Sequence, residues 1–369
     1  MTTDTTLEPT TDDVLQEAIG EFAEELFGTG LAGMELAICS LGRELGLYRT
    51  MRGQDGLTAA QVAERTGIDT RYAREWLEHQ TVAGVVELDG GASADERRYS
   101  LPEAHAVVLL DEEHPAYLGA LADLIPVIAR TFEPLLAAFR TGAGVPFADY
   151  GLHDAQAGMT RPMFANDLAT EWIPALPEVQ ARLDAGEPLR IADFGCGEGW
   201  AAIYLAEAHP RVTVDGFDLD DASVAIARKH AAERGLGDRV RFEVEDVTAR
   251  SFDTPYDLVM CCEVIHDLPN PVAALSAMRA AAGDDGAVLV IDERAAEELT
   301  ASGDPIERLL YGFSILHCLP VGRVADPSAE TGTVMRPDVF RRYATDAGFT
   351  AVDVLPVDHD MFRFYRPRP

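Results

Sequence analysis

Residues 189–199 read Leu-Arg-Ile-Ala-Asp-Phe-Gly-Cys-Gly-Glu-Gly, an acid placed two positions ahead of three alternating glycines. The apolar residues, the glycine turn and the Ala-rich run from 201 to 208 spell strand, tight turn and helix start. In an α/β sheet such a turn lies at the carboxyl end of a strand, where ligands bind. Glycine tolerates positive φ and close backbone approach, and helix-start N–H groups favour a polar or anionic ligand group. The pattern is G-x-G-x-G, and Trp200 stands where a dinucleotide fingerprint needs its third glycine. The next apolar run, 212–217, ends in Asp218, about 20 residues on, placed to accept from two ribose hydroxyls. A third strand, 240–244, is followed by Glu245-Asp246, where an acid can accept from an adenine amino group.

A fourth strand leads through Asp257-Leu-Val-Met-Cys-Cys-Glu-Val-Ile to His266-Asp267-Leu268. His266 then stands just past a strand's carboxyl end, and Glu293 follows the fifth strand as a second acid near the pocket mouth. A histidine titrates near 6.5, so a positioned imidazole can act as a general base, worth about 10²–10⁴-fold. Loop hydrogen bonding is the other reading of His266, and helix capping the other reading of Asp267. An insertion at 294–335 carries Tyr311, Phe313, His317 and Cys318, with Arg336 at its end. It reads as a lid or substrate wall, or equally as core packing or a subunit contact. His317 is an alternative base, Arg336 a clamp for an acidic substrate, and Tyr311 a substrate-side residue.

Together, Asp193 to Gly199, then Asp218, then Asp246, resemble a class I S-adenosylmethionine-dependent methyltransferase over about residues 185–369. The resemblance implies S-adenosyl-L-methionine as cofactor and S-adenosyl-L-homocysteine as product. It assigns Asp193 to the methionine end, Gly195, Cys196, Gly197 and Gly199 to the close-approach turn, Asp218 to the ribose and Asp246 to the adenine. Leu219, Val247 and Cys262 join the same pocket. His266-Asp267 is similar to the His-Asp of plant-type O-methyltransferases, where the histidine deprotonates an acceptor hydroxyl; Leu268 replaces their usual tryptophan. The implied function is methyl transfer to a small molecule, oxygen first among acceptor atoms. Non-methylating chemistry on the same cofactor stays open, because the binding motif is the same.

The elements that must position these residues follow from periodicity. Strands at 189–194, 212–218, 239–244, 257–262 and 286–292 alternate with helices at 198–208, 220–234 and 270–282, which gives a parallel sheet. A helix at 336–347 and two closely spaced strands, 349–355 and 360–366, add an antiparallel hairpin. The fold class expected is α/β, a Rossmann-like methyltransferase domain behind a mainly helical winged-helix domain.

Residues 1–12 are Thr- and Asp-rich and expected to be a disordered tail. Helices are expected at 15–27 and 31–47, with 34–45 buried between domains or subunits. Thr58 and Gln61 form a capping-box pattern. A second helix at 71–83, strands around 85–88 and 98–101, and Gly90-Gly91 complete a winged helix. Helices interrupted at Pro115, Pro126 and Pro134, and a loop at 142–150, close a unit of 13–150 that serves dimerisation and lines the substrate site by resemblance. Linker helices at 151–184, kinked at Pro174 and Pro177, bring Met159, Arg161 and Phe164 toward the cofactor.

The chain has 369 residues, 63 acids against 30 bases, and a net charge of −33. That field repels nucleic-acid phosphates and anionic membranes, so a ligand-sensing DNA-binding regulator is the minor alternative and neither nucleic acid nor membrane is expected as a partner. Cys39, Cys196, Cys261, Cys262 and Cys318 form no C-x-x-C pair, which argues for reduced thiols and no zinc site or other metal. No signal peptide or membrane-length apolar run is read, so the protein is expected to be cytoplasmic. A homodimer through the N-terminal domain is the expected assembly.

Overall fold

The computed structural model describes residues 11–301 and 303–369. Of the expected tail, residues 1–10 lie outside the described residues, and Thr11 and Asp12 already belong to a helix. The chain forms two compact units. One comprises the residues up to Asp111 with Leu121–Pro126, the other Glu112–Ala120 with Val127–Pro369.

In the first unit the two expected N-terminal helices are a single one, Thr11–Glu44. Gly28 and Gly30 do not break it, and the Thr29 hydroxyl between them donates back to the Glu25 carbonyl at 3.0 Å. Phe22 and Phe27 are exposed, and Met34 and Leu41 keep 60% and 55% of their surface, whereas Ser40 and Gly42 are buried and Ile38 and Cys39 pack against the core of this unit, so segment 34–45 is only partly buried within this chain.

The capping box forms as read. The Gln61 N–H donates to the Thr58 hydroxyl, the Thr58 N–H donates to the Gln61 side chain, and helix Ala59–Thr66 follows. Asp69 caps helix Thr70–Val82. The wing is shorter than expected, β1 (Glu87–Leu88) pairing antiparallel with β2 (Tyr99–Ser100). Val85 and Val86 donate their N–H groups to the Gln80 carbonyl and are lost to the ladder. Tyr48, Val62, Leu77 and Tyr99 are the core of this unit.

Helix Gly119–Thr141 runs straight through Pro126 and Pro134, against the expected interruptions. Each proline forgoes one backbone bond, and the helical spacing of buried Val127, Thr131, Leu135 and Ala138 offsets the loss. The stretch expected as a loop holds one short turn of helix, Phe147–Asp149. The linker is helical over His153–Met163, widens to π geometry over Phe164–Trp172, and restarts at Pro177–Asp184 after a turn containing Pro174. Trp172, fully buried, meets Phe164, Phe362 and Phe364 edge-on.

The sheet has strands β3 (Leu189–Phe194), β4 (Val212–Asp218), β5 (Val240–Val244), β6 (Leu258–Cys262), β7 (Ala287–Glu293), β8 (Ala351–Val354) and β9 (Phe362–Arg368). Their order is β5-β4-β3-β6-β7-β9-β8; the first five are parallel, and β9 pairs antiparallel with both β7 and β8. β7 is buried at every position, as a strand covered on both faces requires. The chain steps from β3 to β4 on one side while β6 lies on the other. The crevice therefore opens between the loops after β3 and β6. Among the described residues no helix is long and apolar enough to cross a membrane.

Candidate functional site

Three glycines shape the turn after β3, each with positive φ: 71° at Gly195, 50° at Gly197 and 81° at Gly199. Their roles differ. A Cβ at Gly195 would meet Val264 at 2.4 Å, and one at Gly199 would meet the Phe242 ring at 2.4 Å and Ala227 at 3.0 Å. These two let the loop close on its neighbours. Gly197 has nothing within 4 Å on its Cβ side, so it presents bare backbone to open space. Gly199 is the left-handed cap of helix Trp200–Ala208 and does not border the cavity described below. Gly199→Ala combines left-handed strain with overpacking, and equilibrium urea unfolding is expected to show a loss of about 2–4 kcal/mol.

Three acids surround the turn. Asp193 is 3% exposed and its Oδ2 has no partner. Burial, with the nearby Asp218 charge, pushes its carboxyl up to about 7. Asp218 accepts the Gly197 N–H at 2.8 Å and the Asp220 N–H at 2.9 Å, which fixes both carboxylate oxygens. Asp246 accepts the Thr248 N–H at 2.9 Å and its hydroxyl at 2.6 Å. All three border one cavity of about 530 Å³, with Cys196, Gly197, Leu219, Val247 and Cys262. Leu219 keeps 66% of its surface exposed there, an apolar face offered to a flat group. The unpartnered Asp193 oxygen, the open Gly197 backbone and Asp218 at the strand end fit a ligand with a charged end, a sugar diol and a ring. Phe164 borders the same cavity, whereas Met159 and Arg161 do not. Arg161 instead stacks 3.8 Å above the Trp200 ring and pairs with Glu112 and Glu113.

Beyond the acids the cavity wall continues through Phe147, Val264, Leu268, Pro269, Val321 and Val324. Asp267 is a carboxylate of this wall, and His266, its neighbour in sequence, does not border the cavity. His266 is 2% exposed. Its Nδ1 lies 2.7 Å from Asp292 and 3.2 Å from Glu293, and its Nε2 lies 3.2 Å from Asp267. Burial opposes charge on this ring, but Glu293, Asp292 and Asp267 outweigh it and hold the imidazole well above its ordinary pKa. Glu263, also at the cavity, is raised to about 7 by burial, while His266 pulls it down and Asp292 and Asp267 push it up. Its backbone has φ of 57°, an uncommon conformation for a side-chain-bearing residue. Glu293 is buried behind the histidine and does not border the cavity.

Of the insertion, Val321 and Val324 line the cavity, while its polar candidates and Arg336 sit elsewhere. Arg336 donates to the Ala296 carbonyl at 2.6 Å and to the Tyr311 hydroxyl at 3.2 Å, with Glu307 at 3.4 Å. It ties the insertion together and has no free fork for a substrate. His317 is 7% exposed and packed edge-on against Phe147 and Tyr150. Tyr311, His317 and Arg336 do not border the cavity.

Sequence reasoning missed Asp292, Glu263, His153 and Glu198. Asp292 had a signal, standing with Glu293 as one of two acids that end an apolar strand. His153, whose Nε2 lies 2.8 Å from Asp220 at the cavity edge, had none.

Residues 192–288 match the family described as methyltransferase domain, and residues 32–110 match the Rv2258c-like winged HTH domain. The tetracenomycin polyketide synthesis 8-O-methyl transferase TcmO of Streptomyces glaucescens is 28% identical over 330 residues, covering 85% of this chain and 87% of that protein. A ubiquinone biosynthesis O-methyltransferase of Paracidovorax citrulli is 34% identical over 116 residues, 30% of this chain and 44% of that one. In fold, the chain is similar to the mitomycin 7-O-methyltransferase MmcR, with a TM-score of 0.67, 23% identity and coverage of 96% and 100%.

Proposed function

From a chain that is a class I S-adenosylmethionine-dependent methyltransferase behind a winged-helix domain, we propose methyl transfer to a hydroxyl of a small, largely aromatic acceptor. The relative TcmO acts in polyketide synthesis, and NcsB1, an O-methyltransferase of similar fold from neocarzinostatin biosynthesis, forms a complex with S-adenosyl-L-homocysteine and 1,4-dihydroxy-2-naphthoic acid. Both support a phenolic ring as the acceptor class. When bound, the cofactor supplies a sulfonium methyl as electrophile. Asp218 would hold its ribose, Asp246 its adenine, and Asp193 its methionine end.

The observation that carries the oxygen-acceptor reading is the His266–Asp267 pair at the apolar part of the cavity wall. Asp267 faces the cavity and accepts the acceptor's O–H. The proton ends on His266 Nε2, while Asp292 holds Nδ1 and fixes the ring. Raising the imidazole's pKa narrows its gap to a phenol and lowers the cost of that transfer. The same shift keeps the ring protonated at neutral pH. The ascending limb of kcat/KM is therefore expected on the alkaline side of an ordinary histidine.

The test is incubation with S-adenosylmethionine and a panel of phenols and dihydroxynaphthalenes, reading S-adenosylhomocysteine release. Asp267→Asn is expected to cut kcat about 10²-fold or more with S-adenosylhomocysteine affinity unchanged. Product release that is insensitive to both Asp267→Asn and pH would remove this pair from the chemistry. Cofactor binding without release from any acceptor would favour non-methylating chemistry.

The outward apolar residues Ile19, Phe22, Leu26, Phe27 and Met34 of helix Thr11–Glu44 support a homodimer formed through that face. Light scattering is expected to give twice the chain mass, and a monomer at micromolar concentration would end the idea. A DNA-binding role needs a basic face on helix Thr70–Val82. There Arg71 is paired with Glu75 and Arg74 with Asp95, which speaks against it. Five unpaired cysteines suit a reducing compartment and support a cytoplasmic location.

A further inference from the structure

Glu198 sits between the second and third glycines of the turn, is 8% exposed, and borders the cavity beside Gly197. Its Oε1 has no hydrogen-bond partner. A buried carboxyl oxygen left unpaired costs free energy unless a ligand or a proton satisfies it. The groups facing it come from three elements. Helix His153–Met163 brings the Asp154 carboxyl into hydrogen-bonding reach and His153 close by, the latter already engaged with Asp220. Helix Trp200–Ala208 brings the Trp200 indole, which donates to Glu198. Helix Asp221–Glu233 brings His230, whose Nδ1 lies 3.2 Å from the Glu198 carbonyl and whose ring stacks on Trp200 at 4.3 Å. Among these neighbours no arginine or lysine pairs with the Glu198 carboxyl, and Asp154 is another acid.

A buried carboxyl with another acid beside it and no cation paired to it favours its neutral form. Burial first, and then the Asp154 charge, raise the Glu198 carboxyl to about 7, with Trp200 and His153 pulling the other way. A neutral carboxylic acid has one O–H to donate. The amino-acid end of S-adenosylmethionine has a carboxylate to receive it and an ammonium that Asp193 can take.

We propose that Glu198, neutral when the cofactor binds, is a cofactor-binding residue that donates its O–H to the carboxylate of the cofactor's methionine end. The inference rests on the cofactor reading above. It makes a neutral acid the recognition group for an anion, in a cavity otherwise rich in carboxylates. Binding then draws a proton onto the protein, and affinity falls as pH rises through about 7, because the ionised form of Glu198 repels the ligand's carboxylate.

The experiment is calorimetric titration of the full chain with S-adenosylhomocysteine from pH 6 to pH 8.5, in pairs of buffers with different ionisation enthalpies. The wild type is expected to lose affinity by about tenfold across this range, with net proton uptake on binding near neutrality. Glu198→Gln, always neutral and still a donor, is expected to bind within about threefold of wild type at pH 6. It should lose one proton's worth of the pH slope. Asp193→Asn controls for the other raised acid and should leave the Glu198 contribution in place. A slope retained in full by Glu198→Gln overturns the proposal. So does Glu198→Gln binding weakly at every pH, since Glu198 would then be serving the ammonium as an anion. No binding by the wild type at any pH would instead overturn the cofactor assignment on which the proposal rests.

Discussion

Replacing Asp218 by alanine is expected to weaken S-adenosylhomocysteine binding by about a hundredfold or more. Hydrogen bonds to a charged acceptor contribute about 1.5–3 kcal/mol each, and the ribose offers two. The carboxylate also holds the turn. Gly197 donates to it at 2.8 Å, so its removal frees the one glycine whose bare backbone faces the cavity. Asp218→Asn separates the two effects, because an amide oxygen still accepts from Gly197 but no longer takes two hydroxyls as a charged acceptor. Titration calorimetry with both variants, and with NAD as comparison ligand, reads the result. Unchanged affinity in Asp218→Ala would mean that the acid serves the loop alone. The nucleotide would then have to be held elsewhere.

The second large effect is on stability. His266→Ala leaves Asp267, Asp292 and Glu293 buried with their cation gone, and truncation of one partner in such a cluster costs about 3–5 kcal/mol. The pH dependence has a definite sign. The folded-state pKa of His266 is raised, so its contribution is complete below about 6.5, the unfolded value. It is lost as pH climbs through the higher folded value. Glu263 and Glu293, also raised, change stability in the same direction. Urea midpoints of the wild type should therefore fall from pH 6 toward pH 9. The gap to His266→Ala should narrow over the alkaline part of that range. A pH-independent gap would show that the ring is neutral in the native protein and that its neighbours carry the protons.

What the sequence made legible and what it did not divide along one physical line. The candidate cofactor residues follow one another closely along the chain: Asp193 and Gly197 share one strand–turn–helix window, and Asp218 ends the next strand. Asp193, Gly197 and Asp218 could thus be placed from spacing alone, and the parallel order around them followed from apolar runs. The His266 cluster is assembled across two strands. Asp292 and Glu293 reach the ring only because β7 lies beside β6, 26 residues later for the Asp292 contact. Spacing cannot reveal which way such side chains point, nor that Asp267 borders the cavity while His266 does not.

Arg336 illustrates the same limit. A lone arginine ahead of a helix suggested an anion clamp, and nothing local announced that Tyr311, Glu307 and the Ala296 carbonyl would occupy its fork. The prolines of helix Gly119–Thr141 failed for a different reason. Propensity penalises each proline separately, whereas the helix is held by a buried stripe extending past both.

The placement of β9 bears on how the chain matures during synthesis. β9 is a late segment wedged between β7 and β8, and its Phe362–Tyr365 stretch pairs with Val290–Glu293. Until β9 leaves the ribosome, β7 has an unpaired edge at the very residues that carry Asp292 and Glu293. Nascent chains that stall or are clipped ahead of residue 362 would hold a near-complete cofactor crevice beside an open, strongly apolar strand. Such an edge is a template for pairing with another chain. Covering that edge therefore depends on residues 362–365, translated well after the strand they pair with.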